Sequence, residues 1–161
     1  MNSIFENAFV TDTKKRQKVE KVKAEVEALE DLLGKGIDEQ IKPLVVALRM
    51  HDIPTIMSCE GHFDYGCSYP WVDIDTPIDD LAVDKLFRFL IKFYSKRYVR
   101  EDIRLSLVFF PDPSVRLQTS GSSTVSLSKK EIALKKMKDY REEMNSFAEF
   151  LFNEFSESGK E

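Results

Sequence analysis

Apolar residues recur three or four apart from Thr13 onward, at Val19, Val22, Val26, Leu29 and Leu33, with Lys and Glu filling most positions between them. That spacing predicts an amphipathic helix over 13–33 with one narrow apolar stripe. Gly34 and Gly36 supply its C-terminal stop. Alternation of three and four also describes a heptad, so the stripe either docks on its own domain or pairs with a second copy of the chain as a homodimer. Asp38 is placed to cap a second helix running to about His51, with Ile41, Val45 and Leu48 on its buried face. Pro43 removes one backbone donor there and is expected to kink the first turn. Ile53-Pro54 ends the helix, because the residue before proline avoids the helical region.

Residues 54–59 and 70–75 predict two strands joined by the long loop 60–69, which carries Gly61 and Gly66. Thr76-Pro77-Ile78-Asp79 has the signature of a helix start: a threonine cap, proline at the first helical position and an acid three after the cap. This helix is expected to reach about Lys96 and to bury Ala82, Leu86, Phe89, Leu90 and Phe93. Ile103–Phe110 and Val115–Thr119 predict a hairpin around Pro111-Asp112-Pro113. Residues 119–127, rich in Ser, Thr and Gly, predict a mobile link. Ser128 and Glu131 form a capping box for a last helix to about Phe155, with Leu134, Met137, Met144, Phe147, Leu151 and Phe155 on one face.

The order ααββαββα, with its consecutive strands, predicts an α+β fold: an antiparallel sheet of about four strands with helices packed on one face. No repeat or boundary interrupts the pattern, so 1–161 is expected to be one domain, with 1–12 a loose arm. Strand alternation sorts the side chains. Val72, Ile74, Ile103, Leu105, Leu107, Val115 and Leu117 should face the helices. Trp71, Asp73 and Asp75, Arg104 and Ser106, and Arg116 and Gln118 then share the opposite face. With Ile56 inward, Thr55, Met57 and Cys59 join them.

Composition narrows the classes of function. Among 161 residues, 42% are apolar and 32% charged, as in ordinary globular proteins. The net charge of −4 argues against a dedicated nucleic-acid scaffold, since phosphate binding needs a basic footprint. The basic clusters Lys14, Lys15, Arg16, Lys18 and Lys96, Arg97, Arg100 suit helix solvation. No apolar run approaches the length of a spanning helix, and no signal peptide is apparent. Two cysteines with seven residues between them do not form a secreted disulfide framework, so a cytoplasmic protein with reduced thiols is expected.

The chemistry concentrates in Pro54–Asp75, which holds both cysteines, the only tryptophan and His62. Cys59 and His62 are spaced to form a thiolate–imidazole pair, if a base or positive charge lowers the thiol's ordinary pKa. The alternative is that Cys59 is a small buried hydrophobe. Cys59, His62 and Cys67, with His51 or Asp64, make a partial zinc set whose spacing lacks a second close pair, so no metal is assigned, with a three-ligand catalytic zinc and an open position as the alternative. Glu60 and Asp73 are candidates for acid–base work or ion holding, against a plain solvated role. His51 suits a dipole contact at a helix C-terminus. The catalytic candidates are therefore Cys59, Glu60 and His62, and the ligand-binding candidates Ser58, Trp71, Asp73, Arg116 and Gln118. A Trp platform beside an arginine suits an anionic or aromatic small molecule, such as a nucleotide-like ligand.

Ser58-Cys59-Glu60-Gly61-His62 followed by Pro70-Trp71-Val72-Asp73 resembles a motif of uncharacterised bacterial proteins. Ser58-Cys59-x-Gly61 after a helix and strand is also similar to the Ser-Cys-Ser-Gly-Arg motif of the wybutosine-synthesising tRNA methyltransferase family. Phe109-Phe110-Pro111 before the strand Val115–Thr119 resembles a later strand pair there. Glu60 and His62 stand where that family has serine and arginine. The resemblance implies that residues 58–62 form the site, and adds an RNA-modification role to the two other expectations, a small-molecule or catalytic site and an interaction module.

Overall fold

A computed structural model of the chain describes residues 12–77, 79–125 and 129–158. Residues 1–11 of the expected 1–12 arm and the Ser128 half of the capping box lie outside them. The elements are α1 (Thr13–Glu27), α2 (Lys42–Met50), β1 (Thr55–Cys59), β2 (Trp71–Ile74), α3 (Leu81–Tyr94), a 3-10 turn (Glu101–Ile103), β3 (Leu105–Phe109), β4 (Val115–Thr119), α4 (Ser122–Val125) and α5 (Lys130–Glu157). The expected α+β class holds. The four strands form one antiparallel sheet in the order β1-β2-β4-β3.

The first helix is shorter than its apolar period. It stops at Glu27, and Leu32 and Leu33 are exposed. Asp31 is the reason: its carboxylate accepts the backbone N–H groups of Leu33 and Lys35, both at 2.8 Å, and folds 30–36 into a tight turn through Gly34 at φ +72°. A short acidic side chain thus outcompetes the helix for backbone donors. What remains of the stripe, Val22 and Val26, is buried in the chain's own core. These two residues dock on the chain's own domain.

α2 is buried almost all round, not on one face, because α1, α5 and β1 all pack against it. Pro43 is its second residue, where no intrahelical donor is needed, so the helix starts at Lys42 instead of kinking. Helix α3 likewise starts later than its sequence signature. Its cap is Asp80, which accepts from Ala82 N–H at 2.7 Å, and not Thr76. Residues 122–125, expected as a mobile link, form the short α4 with Ser122 and Val125 buried.

The sheet phase follows expectation in three strands. Val72, Ile74, Leu105, Val115 and Leu117 face a core completed by α1, α2, α3 and α5. β1 departs from it. Arg49 on α2 donates from Nε to the Thr55 hydroxyl at 2.9 Å and from Nη2 to the Thr55 carbonyl at 2.8 Å. That holds Thr55 opposite Ile74 on the covered side. A bulge then sets Ile56 and Met57 together across from Asp73, and both are exposed. Ile56 is therefore not an inward residue. The bulge restores the phase, so Ser58 pairs with Val72 and Cys59 with Trp71.

α5 spans two clusters. Its C-terminal half carries Met144, Phe147, Ala148, Leu151, Phe152 and Phe155 into the main core. Its N-terminal half brings Ala133 and Tyr140 to a smaller one, with Val125 and the loop aromatics Phe63 and Tyr69. Leu134, expected in the buried face, is 42% exposed. The site lies where the second cluster meets the end of β1.

Candidate functional site

The turn after β1 is fixed before any side chain is considered. Gly61 sits at φ +86°, and a Cβ there would lie 2.9 Å from the backbone carbonyl carbon of Tyr69. Only glycine fits both constraints. His62 N–H donates to the Cys67 carbonyl at 2.9 Å, closing the loop on itself. From α5, Arg141 donates from Nε to the Glu60 carbonyl at 2.7 Å and from Nη2 to the Gly61 carbonyl. The guanidinium fork thus satisfies two consecutive carbonyls of the turn.

Asp38, expected to cap α2 with its side chain, does something else. Its carbonyl accepts from Ile41 and Lys42, while its carboxylate Oδ2 accepts from Glu60 N–H at 3.2 Å and meets His62 Nε2 at 2.9 Å. Cys59 Sγ accepts from Gly61 N–H at 3.3 Å. One carboxylate oxygen, one thiol sulfur and one imidazole nitrogen, from Asp38, Cys59 and His62, lie within 4.8 Å of one another. Cys67, His51 and Asp64 are not in that group. Tyr65 stacks on the His62 ring at 4.3 Å, and Lys35 Nζ reaches both Tyr65 Oη (3.3 Å) and Asp38 Oδ1 (3.7 Å).

Electrostatics separate the members. Burial pushes the Cys59 thiol up; the Gly61 N–H opposes this, and Asp38 adds to it. Cys59 is a protonated thiol at neutral pH in this setting, which is not how a nucleophilic cysteine is prepared. Burial by itself would raise Asp38, but the Glu60 N–H, His62 and Lys35 outweigh it and hold the carboxyl below its usual range. Glu60 is a structural carboxylate. It accepts Gln40 N–H at 2.8 Å and lies 3.9 Å from Arg141 Nη2, tying the turn to the segment before α2.

The other expected residues are placed as follows. Ser58 pairs with Val72 and so lies on the helix-covered side. Trp71, Asp73, Arg116 and Gln118 share the opposite face through the β2–β4 register. Arg116 pairs with Asp73 in a two-point contact, 2.6 and 2.9 Å, and its guanidinium carbon lies 3.8 Å from the centre of the Trp71 ring. The arginine is neutralised and covers the indole, which is 8% exposed. Gln118 is also buried. Arg104 precedes β3 and lies over the Tyr94 ring of α3. Trp71 Nε1 is buried without a hydrogen-bond acceptor among the described residues.

His51 is not a surface dipole contact. It is buried, donates from Nε2 to the Leu151 carbonyl at 2.7 Å and packs edge-on against Phe89 and Phe155. Lys15, Lys18, Arg97 and Arg100 from the basic clusters have intramolecular partners. Lys15 caps carbonyls at the end of α5, Lys18 pairs with Asp52, Arg97 with Glu143, and Arg100 with Asp102 and Asp139. A depression of about 550 Å³ between α1 and the α2–β1 junction, lined by Lys18, Val22 and Arg49 among others, contains no member of the Asp38–Cys59–His62 group.

Sequence reasoning missed Asp38, assigned to a helix cap, and with it Lys35, Tyr65 and Arg141. No local signal marks Asp38, because Cys59, Glu60 and His62 lie 21 to 24 residues away and only Lys35 is near in the chain. The chain matches no protein-family profile, no curated protein and no solved structure. The site's meaning therefore rests on its own geometry.

Proposed function

We propose that this protein binds a small ligand at the Ser58–His62 turn, through Asp38, Cys59 and His62, with Tyr65 and Lys35 beside them. The observation that carries this is the convergence of three chemically different donors on a turn whose backbone is already locked. Glycine geometry, the Arg141 fork and the Glu60–Gln40 bond hold the turn before any ligand arrives. Preorganised polar groups of that kind are what a binding site needs to keep its ordering cost low. A second support is the buried, unpaired indole N–H of Trp71, directly across the strand pair from Cys59. An orphaned donor costs about 1–3 kcal/mol unless a bound species or water accepts it.

The Arg116–Trp71 face is the weaker half of the reading, since the arginine is committed to Asp73. Among the described residues no helix is long and apolar enough to cross a membrane, which fits a ligand met in water. The test is a thermal-shift screen of nucleotides, sugar phosphates and small carboxylates against the wild type and His62→Ala. A compound that stabilises only the wild type supports the site. Compounds that stabilise both proteins equally move the site elsewhere, and loss of the folded state in both His62→Ala and Cys59→Ala makes the motif structural.

A further inference from the structure

We propose that Asp38, Cys59 and His62 are ligands for one divalent transition-metal cation of the zinc class, with a coordination position left open. This rests on the reading above and specifies it: the three donors that bind would do so through a metal.

The donor set argues for the class of ion. A sulfur, an imidazole nitrogen and a carboxylate oxygen suit zinc and its neighbours, whereas magnesium and calcium require oxygen-rich shells. The spacing argues for the geometry. Bonds of about 2.0–2.3 Å to a tetrahedral centre put donor atoms about 3.3–3.6 Å apart. All three atoms here lie within 4.8 Å of one another, so the widest pair closes by up to about 1.2 Å around an ion, while His62 Nε2 and Asp38 Oδ2 are 2.9 Å apart. That last pair is now joined by a proton. A cation in its place asks the two atoms to separate by only about 0.4 Å.

The surroundings argue for ligands already oriented. Asp38 Oδ2 is aimed by the Glu60 N–H and Cys59 Sγ by the Gly61 N–H, so consecutive backbone donors of one turn address two of the three ligand atoms. The Asp38 and His62 side chains are 13% and 16% exposed, shielded from bulk water yet reachable. On binding, Cys59 releases its proton to solvent and the hydrogen on His62 Nε2 leaves that atom, the ring keeping or taking up its proton at Nδ1, so that Nε2 offers its lone pair and the thiolate and the Asp38 carboxylate bring two negative charges to the 2+ ion. Glu60 is not needed as a ligand because Gln40 and Arg141 engage it. Three protein ligands leave a fourth position for water or for the small ligand. Lys35, 3.7 Å from Asp38 Oδ1, is a cation in contact with a proposed ligand and opposes the ion, whereas the Arg141 guanidinium on the same turn is paired with Glu60.

The experiment uses the full chain stripped of metal and titrated with zinc alone against a competing chromophoric chelator, then with cobalt(II) for its spectrum. The wild type should bind one equivalent at micromolar affinity or tighter, and its cobalt form should show a thiolate-to-metal charge-transfer band. Cys59→Ser should abolish that band. Asp38→Asn and His62→Gln should each weaken zinc binding by about a hundredfold or more. Cys67→Ser should leave both signals unchanged, and Lys35→Ala should tighten binding a few-fold by removing a nearby positive charge. The proposal is overturned if the wild type binds zinc no better than His62→Gln, if the cobalt spectrum lacks the thiolate band, or if Cys67→Ser abolishes it. The wild-type spectrum needs no variant to fold. If zinc does not bind while a screened compound still stabilises the wild type and not His62→Ala, the metal falls and the binding site stands. If neither occurs, both readings fall.

Discussion

Gly61→Ala is the sharpest probe of how the site is held. Two separate penalties meet at this position. Alanine in the left-handed region costs about 1–2 kcal/mol, and φ here is +86°. Its methyl group would also lie 2.9 Å from the Tyr69 carbonyl carbon and 3.1 Å from both Tyr69 Cα and Met137 Sδ. The Met137 sulfur is on a flexible side chain and can yield; the Tyr69 atoms are backbone, two residues beyond the Cys67 carbonyl that His62 N–H engages, and yield far less easily. Overlap of this kind costs about 1–3 kcal/mol, so the total is about 2–5 kcal/mol. At roughly 3 °C per kcal/mol for a chain of this size, Tm should fall by roughly 6–15 °C. Gly66 provides the internal control, because it too has positive φ (+68°) but nothing within 4 Å of where a methyl group would sit. Gly66→Ala should therefore carry only the backbone penalty. The assay is equilibrium urea unfolding of the wild type and both variants, comparing midpoints at unchanged m. If Gly61→Ala costs no more than Gly66→Ala, the close approach to Tyr69 is not what shapes the turn.

Two further predictions concern the scaffold. Tyr94 donates to Glu143 Oε1 at 2.8 Å and accepts Leu105 N–H at 2.8 Å, while Glu143, 2% exposed, also receives Arg97. Tyr94→Phe strips a bond from a buried carboxylate and orphans a strand N–H, so urea unfolding should show a loss of about 2–4 kcal/mol; under about 0.5 kcal/mol would contradict the network. His51 is held below its ordinary 6.5 by burial, with Lys85 and Lys18 adding to the shift and the Leu151 carbonyl and Glu154 opposing it. The unfolded chain therefore takes up this proton first, and stability present above 6.5 is lost as pH falls toward the folded value, at up to about 1.4 kcal/mol per pH unit. Asp38 has the opposite charge type and a depressed pKa, so its contribution begins to fall only below its ordinary 3.8, whereas that of His51 begins to fall at 6.5. His51→Gln, which keeps a donor for Leu151, should flatten the upper window in urea titrations; an unchanged slope assigns the acid sensitivity to other groups.

Much of the scaffold was legible because it is encoded locally. The two-residue period placed Val72, Ile74, Val115 and Leu117 on the covered face, and the apolar run of the last helix placed Met144, Phe147 and Leu151 in the core. Errors arose where a non-local partner, or a competing local hydrogen bond, overrode the period. Asp31 claimed the donors that the first helix needed, Asp80 displaced Thr76 as a cap, and Arg49 holds Thr55 inward beside a bulge that exposes Ile56.

The sequence by itself determined the α+β class, the phase of three strands and the short stretch that holds Cys59 and His62, since all of these follow from spacings of a few residues. Only the tertiary structure decided what those side chains meet. Asp38 reaches His62 across 24 residues and Arg141 reaches Glu60 across 81, while Arg116 folds over Trp71 and closes a face that alternation alone leaves open. Such contacts depend on how helices and sheet pack around a shared core, and no local period of apolar residues records them.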